Sequence, residues 1–169
     1  MNPTRTGFID TLVDMGARIE CHERTAVAGD TVGTITAKKS ALHDFTVDAS
    51  RVPAMIDEIP LLACVGAAAR IRLEVRGAQE LRVKESDRIA VVAQNLRAVG
   101  VEIEELPDGF IVRGRRPPFT GKVTTEGDHR IAMSFGVLGA LTGSSIDIDD
   151  PDCVSVSYPR FWEDLKSFH

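Results

Sequence analysis

The densest charged stretch of the chain is Glu80-Leu81-Arg82-Val83-Lys84-Glu85-Ser86-Asp87-Arg88. It leads into a run whose apolar residues Ile89, Val92, Leu96 and Val99 recur at helical intervals, so it occupies the turn that enters a helix. Ser86 or Asp87 can cap that helix, and acids in a first turn favour its dipole. On this reading the stretch is a cap with a solvated charged face. Lys84 and Arg88 fit poorly, because cations at a helix N-terminus oppose the dipole. His129 and Arg130 stand at the corresponding end of another apolar helical run, Ile131–Leu141. A local rule broken at equivalent places is where function is expected. Helix N-termini also direct free N–H groups at an anion, and an arginine fork pairs with two oxygens at once. Two such ends would hold a phosphate or a carboxylate. Asp57 and Glu85 add carboxylates. Beside a cation a carboxylate stays ionised and can act as a base, while a drier one can carry a proton and act as an acid. Asp57 reads equally as a plain helix cap, and His129 as a capping or packing histidine. Neither a Gly-x-Ser-x-Gly elbow, a P-loop nor a Gly-x-Gly-x-x-Gly run is present, so acyl transfer through serine and nucleotide binding have no support.

These tips need helices and strands to carry them. Phe8–Met15 predicts an amphipathic helix ended by Gly16, and Met55–Gly66 one that is apolar nearly all round and therefore buried. The third helix runs over Ile89–Val99 and is closed by Gly100. Ile131–Leu141 is the fourth, and Phe161, Trp162, Leu165 and Phe168 mark a short closing one. β-like runs fall at 17–21, 32–36, 45–48, 70–75, 101–105, 109–113, 122–125 and 145–149, and Asp108-Gly109 reads as a hairpin turn. The order of helix, strands, aspartate-opened apolar helix and strand occurs twice. Gly16 and Gly100 are 84 residues apart, and Asp57 and Asp128 are 71 apart. Repeats of one supersecondary unit share a core by packing on one another. The expected class is therefore α/β (α+β), with repeat units of approximately 7–80 and 81–150 and a closing helix over 159–168.

The chain has 169 residues, one domain or a piece of a larger one at about 100–200 residues per domain. Hydrophobic residues make up 43% and charged residues 27%, ordinary values for a globular protein. Aromatic residues are only 5% and the net charge is −5, so the basic and aromatic footprint of a nucleic-acid binder is missing. The apolar runs Ile59–Ala69 and Ile131–Leu141 are too short to cross a bilayer, and Met1–Arg5 lacks the apolar segment of a secretory leader. The three cysteines form no Cys-x-x-Cys pair, which suits a reducing, cytoplasmic setting and gives no zinc site.

Leu81–Arg88 followed by an apolar helix closely resembles a signature of the 5-enolpyruvylshikimate-3-phosphate synthase family. Asp128-His129-Arg130-Ile131-Ala132-Met133 is similar to that family's Asp-His-Arg-x-Ala-Met motif, and Met55–Pro60 to the segment carrying its catalytic aspartate. Asn2–Gly7 resembles the stretch entering a helix in the bacterial glyphosate-tolerant class. The likeness covers essentially the whole chain. It implies about two of the three helix–strand units of one domain in an inside-out α/β barrel of the enolpyruvyl transferase type. This would be the C-terminal part of the second of two domains, with the active site in the cleft between them. The implied reaction transfers the enolpyruvyl group of phosphoenolpyruvate to the 5-hydroxyl of shikimate 3-phosphate, with release of phosphate and no cofactor or metal. By resemblance Asp57 takes the hydroxyl proton and Glu85 handles protonation of the methylene carbon. Lys84 contacts the shikimate hydroxyl. Arg88 and Arg130 hold the phosphate or carboxylate of phosphoenolpyruvate, with His129 beside them.

Two departures stand out. Val156 occupies the place where many members carry a lysine. The N-terminal lysine, the serine–glutamine motif and an upstream arginine of the family are not in this chain. The chain alone is therefore expected to be inactive or nearly so, to need the N-terminal domain as partner, and to self-associate through surface that a repeat neighbour would cover. The alternatives are a transferase acting on UDP-N-acetylglucosamine, against which the Arg-Val-Lys-Glu-Ser-Asp-Arg run speaks, and a non-catalytic anion-binding module.

Overall fold

The computed structural model describes residues 6–27 and 30–168, so the Asn2–Arg5 part of the resemblance lies outside the described residues. Helix α1 (Gly7–Asp14) leads to the hairpin β1 (Arg18–Val27) and β2 (Asp30–Lys38), then β3 (Phe45–Val47), α2 (Ile59–Ala69) and β4 (Arg72–Val75). The same order follows again: α3 (Arg88–Ala98), the hairpin β5 (Glu102–Leu106) and β6 (Gly109–Arg113), β7 (Thr120–Val123), α4 (His129–Gly139) and β8 (Ser145–Ile148). A 3₁₀ turn at Pro151–Val156 and α5 (Phe161–Lys166) complete it. Pairing repeats as well as order. β3 lies parallel to β4 and β7 to β8, while both hairpins are antiparallel. The second hairpin then joins the first parallel pair, β6 against β4, to give the sheet β3-β4-β6-β5.

The helices pack on one another and the strands lie outside them. Helix α2, IPLLACVGAAA, has no charged or hydrogen-bonding side chain, so it has no face to offer water. It touches β4 and β6 on one side and α3 and α4 on others. Gly66 brings it close to the sheet, since a Cβ there would lie 2.9 Å from Leu73. β4 alternates buried Leu73 and Val75 with half-buried Arg72 and Glu74, the pattern of a sheet with one face on the core. Met15, Ile59, Leu62, Leu73, Ile89, Leu96, Phe110 and Phe135 belong to one continuous core. Asn95 on α3 ties the helix to the loop after β7, donating to the Thr124 carbonyl at 2.7 Å and accepting from the Thr124 N–H at 2.9 Å.

Several boundaries depart from the expectations. The first hairpin is longer than 17–21 and 32–36 suggest, its strands pairing from Arg18 with Lys38 out to Val27 with Asp30. β4 starts at Arg72, not 70, because Arg70 takes a left-handed φ of 63° to end α2. β7 lies two residues before the expected 122–125, and the closing helix is confined to Phe161–Lys166. Asp108-Gly109 is not the centre of the hairpin. Gly109 is already in β6, paired with Leu106 across a turn formed by Pro107 and Asp108. What position 109 requires is space, since a Cβ there would lie 2.0 Å from the Val75 carbonyl oxygen.

Candidate active site

Three helix starts meet at one end of the molecule. Asp57 and Glu58 lie in a 3₁₀ turn, Ile56–Glu58, directly before α2. Glu85, Ser86 and Arg88 lie at the start of α3, and Asp128, His129 and Arg130 at the start of α4. Asp57 is therefore not the side-chain cap of α2, which has none; it stands one turn earlier and reaches sideways. Asp87 caps α3, accepting from the Ala90 N–H at 3.0 Å. Arg82 is structural too. Its guanidinium bonds Asp87 at 2.8 Å and the carbonyls of Leu106 and Pro107 at 2.7 and 2.8 Å, fastening the charged turn to the β5–β6 hairpin.

Arg88 is the hub. Its side chain is 1% exposed. Nε donates to Asp128 Oδ2 at 2.7 Å and one terminal nitrogen to Asp128 Oδ1 at 3.2 Å. The same terminal nitrogen reaches Glu85 at 2.6 Å, and the other reaches Asp57 at 3.2 Å. Asp57 also faces Arg130 at 3.8 Å, and Glu58 faces Arg130 at 3.9 Å. The expected residues Asp57, Glu85, Arg88 and Arg130 thus converge. Lys84 is exposed on the same turn and makes no ion pair among the described residues, and His129 is half-buried at the first position of α4. A cavity of about 270 Å³ opens beside them, lined by Asp57, Glu58, Arg130, Met133, Tyr158 and Phe161 among others. Val156 is 82% exposed on the 3₁₀ turn before Tyr158.

Asp128 and Ser86 are the participants that sequence reasoning missed. Asp128 is fully buried. Besides both bonds to Arg88 it accepts from Ser86 Oγ at 3.0 Å and from the Arg130 N–H at 2.9 Å. One carboxylate therefore caps α4 and holds the Arg88 fork, joining two helix starts that are remote in sequence. Its place at the head of the Asp-His-Arg run was the available signal. A capping aspartate looks the same in sequence whether or not a buried arginine comes with it.

Burial alone would raise the Asp128 carboxyl. The Arg88 hydrogen bond and charge, with the Arg130 N–H and the Ser86 hydroxyl, outweigh it and hold the group below its ordinary value. Burial would likewise lower Arg88, but Asp128, Glu85 and Asp57 leave it raised. Asp128 is thus more acidic folded than unfolded. Its contribution to stability is complete above the unfolded carboxylate value, about 3.9, and is lost as pH falls through the lower folded value. Urea midpoints of the chain should drop as pH falls below about 4. Asp128→Asn should be less stable at neutral pH and should lose less of its stability on acidification. An equal acid slope in the variant would contradict this.

The chemical capacity follows from the inventory. Among the described residues the carboxylates of Asp57, Glu58, Glu85 and Asp128 stand against the guanidinium groups of Arg88 and Arg130, with Lys84 on the same turn as Glu85. The positive ends of three helices add partial charge at the same place. This suits proton transfer next to an anion.

A protein-family model described as EPSP synthase (3-phosphoshikimate 1-carboxyvinyltransferase) matches residues 1–165. The chain belongs to the EPSP synthase family. It is 46% identical over 166 residues to the 3-phosphoshikimate 1-carboxyvinyltransferase of Sulfurihydrogenibium sp. (strain YO3AOP1), covering 98% of this chain and 38% of that protein. Against the enzyme of the same name from Aquifex aeolicus the identity is 43%, with 98% and 38% covered. Among solved structures, the 2.37 Å structure of EPSP synthase from Acinetobacter baumannii superposes with a TM-score of 0.92 at 38% identity, covering 99% of this chain and 39% of that one. The chain therefore spans less than two fifths of the length of the family members it matches. The family is the level that these matches reach, and the glyphosate-tolerant class within it is a finer statement. No helix among the described residues is long and apolar enough to cross a membrane.

Proposed function

We propose that this chain is the C-terminal part of the second domain of a cytoplasmic 3-phosphoshikimate 1-carboxyvinyltransferase and supplies one wall of its active-site cleft. Its repeat units are approximately 7–80 and 81–150, with a closing helix inside 159–168. The reaction joins the enolpyruvyl group of phosphoenolpyruvate to the 5-hydroxyl of shikimate 3-phosphate and releases phosphate. The observation that carries this reading is the convergence of Asp57, Glu85, Arg88 and Arg130, from three helix starts, within 2.6–3.8 Å of one another through Arg88 and Asp57.

On this reading Asp57, which faces both Arg88 and Arg130, accepts the proton of the 5-hydroxyl. Glu85, at 53% exposure the most open of these carboxylates, delivers and later removes the proton at the methylene carbon. Lys84 contacts the shikimate hydroxyl. Arg130 and the terminal nitrogens of Arg88 hold phosphoenolpyruvate, with His129 beside them. Arg88 already serves three carboxylates, so an incoming anion competes with Glu85 and Asp57 for its terminal nitrogens. Binding then loosens the two carboxylates that must exchange protons. Charge developing on the tetrahedral intermediate is met by fixed cations and helix ends, which need not reorganise during the step.

On this reading one wall of the cleft is not enough. Two anionic substrates add negative charge to a cluster that already holds four carboxylates, and the N-terminal domain of the enzyme supplies further cations to balance it. Phosphate release from the two substrates should be absent with the isolated chain. It should appear when the chain is joined to the N-terminal part of the Sulfurihydrogenibium relative. A folded, joined protein that turns over UDP-N-acetylglucosamine but not shikimate 3-phosphate would overturn the acceptor assignment. One that binds phosphoenolpyruvate no better than sulfate by calorimetry, and turns over neither acceptor, would favour a plain anion-binding module.

A further inference from the structure

We infer that Arg82 is a positioning residue for the reaction: it clamps the turn carrying Lys84 and Glu85 onto the tip of the β5–β6 hairpin and so sets where both side chains stand. That Lys84 and Glu85 act on substrates rests on the functional reading above. The clamp itself is made of contacts within this chain.

The turn has little else to hold it. Leu81 and Ser86 are buried, but Val83 between them is 83% exposed, and Lys84 and Glu85 are exposed as well. Burial of apolar surface therefore fixes none of these three. Residues 84–86 bend without a backbone hydrogen bond among the described residues. Glu85 is tied by its carboxylate to Arg88 at 2.6 Å, and that is the tie for which an incoming anion competes. Ser86 anchors the far end of the turn through its bond to Asp128 at 3.0 Å. The near end depends on Arg82, the more so once substrate has taken Arg88 from Glu85.

The hairpin tip is a firm platform. One terminal nitrogen of Arg82 donates to the Leu106 carbonyl at 2.7 Å and to Glu105 at 3.0 Å, the other to Asp87 at 2.8 Å, and Nε to the Pro107 carbonyl at 2.8 Å. Only a planar fork reaches two carbonyls and two carboxylates on different sides at once; a lysine ammonium is a single point of charge. The same tip also holds the segment leading into the turn. Asp108 accepts the Gly77 N–H on its carboxylate at 2.9 Å and the Ala78 N–H on its carbonyl at 2.7 Å. The hairpin in turn is fixed without Arg82, by the β4–β6 ladder and by buried Phe110 and Val112. Loss of Arg82 should therefore free the turn and leave the sheet in place. Arg88 and Arg130 belong to α3 and α4, not to the turn, and Asp128 holds Arg88 independently.

Steady-state kinetics and backbone relaxation test this together. In the protein joined to a relative's N-terminal part, Arg82→Gln should lower kcat by about 10–100-fold, the scale that a misplacement of about 1 Å costs. KM for shikimate 3-phosphate should rise, because Lys84 moves with the turn. KM for phosphoenolpyruvate should stay close to the parent's, because Arg88 and Arg130 do not move. Arg82→Lys keeps the charge but not the fork, and should recover little of the loss. In the chain by itself, NMR order parameters of residues 83–86 should fall in Arg82→Gln toward the flexible range, below about 0.6, with those of α3 and β6 unchanged. A drop in kcat with both KM values unchanged, the mark of less folded protein, would overturn the proposal. So would a parent-like kcat in Arg82→Lys, which would make positive charge alone sufficient, or order parameters that do not change. A joined parent that turns over no shikimate 3-phosphate would sink the functional reading instead, and the order parameters then decide the clamp by themselves. Should Arg82→Gln not fold, Arg82→Lys carries the same comparisons.

Discussion

Replacing Arg88 with methionine should destabilise the chain by about 3–5 kcal/mol, the cost of removing one member of a buried ion pair. The size comes from what is left behind. Asp128 is fully buried and would lose both bonds to the guanidinium, and Asp57 and Glu85 would lose the cation that holds them near it. The penalty should shrink in acid, because protonated carboxyls no longer need a cation. A second substitution checks the cause. Exchanging a buried pair for apolar residues of similar volume is often close to neutral. Arg88→Met combined with Asp128→Leu should therefore recover much of the loss, short of about 1 kcal/mol for the α4 cap that Asp128 also provides. Urea denaturation of the single and double variants at neutral and acid pH measures all of this. A single variant as stable as the parent would mean that Asp128 finds water or another donor.

The second large effect concerns the reaction. In the protein completed with a relative's N-terminal part, Asp57→Asn should lower kcat by about 10²–10⁴, the range that a positioned general base contributes. Asparagine keeps the shape and can still accept from Arg88 and Arg130, but it cannot take a proton. KM for phosphoenolpyruvate should change far less than kcat, since Arg88 and Arg130 remain. If Asp57 only positions Arg88, the variant will raise KM and leave kcat near that of the parent. That outcome would return the base role to Glu85.

The convergence of Asp57, Glu85, Arg88 and Arg130 was legible from sequence because each lies at the start of an apolar helix that is repeated in order. Helices of one repeat family that share a core bring like ends together. Other parts were not legible. Asp57 passed for a helix cap because an acid before an apolar run looks the same in a cap and in a 3₁₀ turn. Asp108-Gly109 passed for a hairpin centre because local turn preference ignores a neighbouring strand, and it was the Val75 carbonyl that required glycine. The first hairpin was read short because residues 22–31 carry no regular alternation of apolar and polar types from which its length could be judged.

The amino-acid order by itself determined the element types, their twofold recurrence, the buried character of α2 and the set of charged tips at the helix starts. These depend on interactions within a few residues, or on which faces are apolar, and both can be read along a chain. Only the tertiary structure decided that Arg88 is buried, that it serves three carboxylates at once, and that Asp128 holds it from α4. Partner choice among charges depends on distance and desolvation in space. Residues 40 positions apart in sequence come to lie 2.7 Å apart only once the helices have packed.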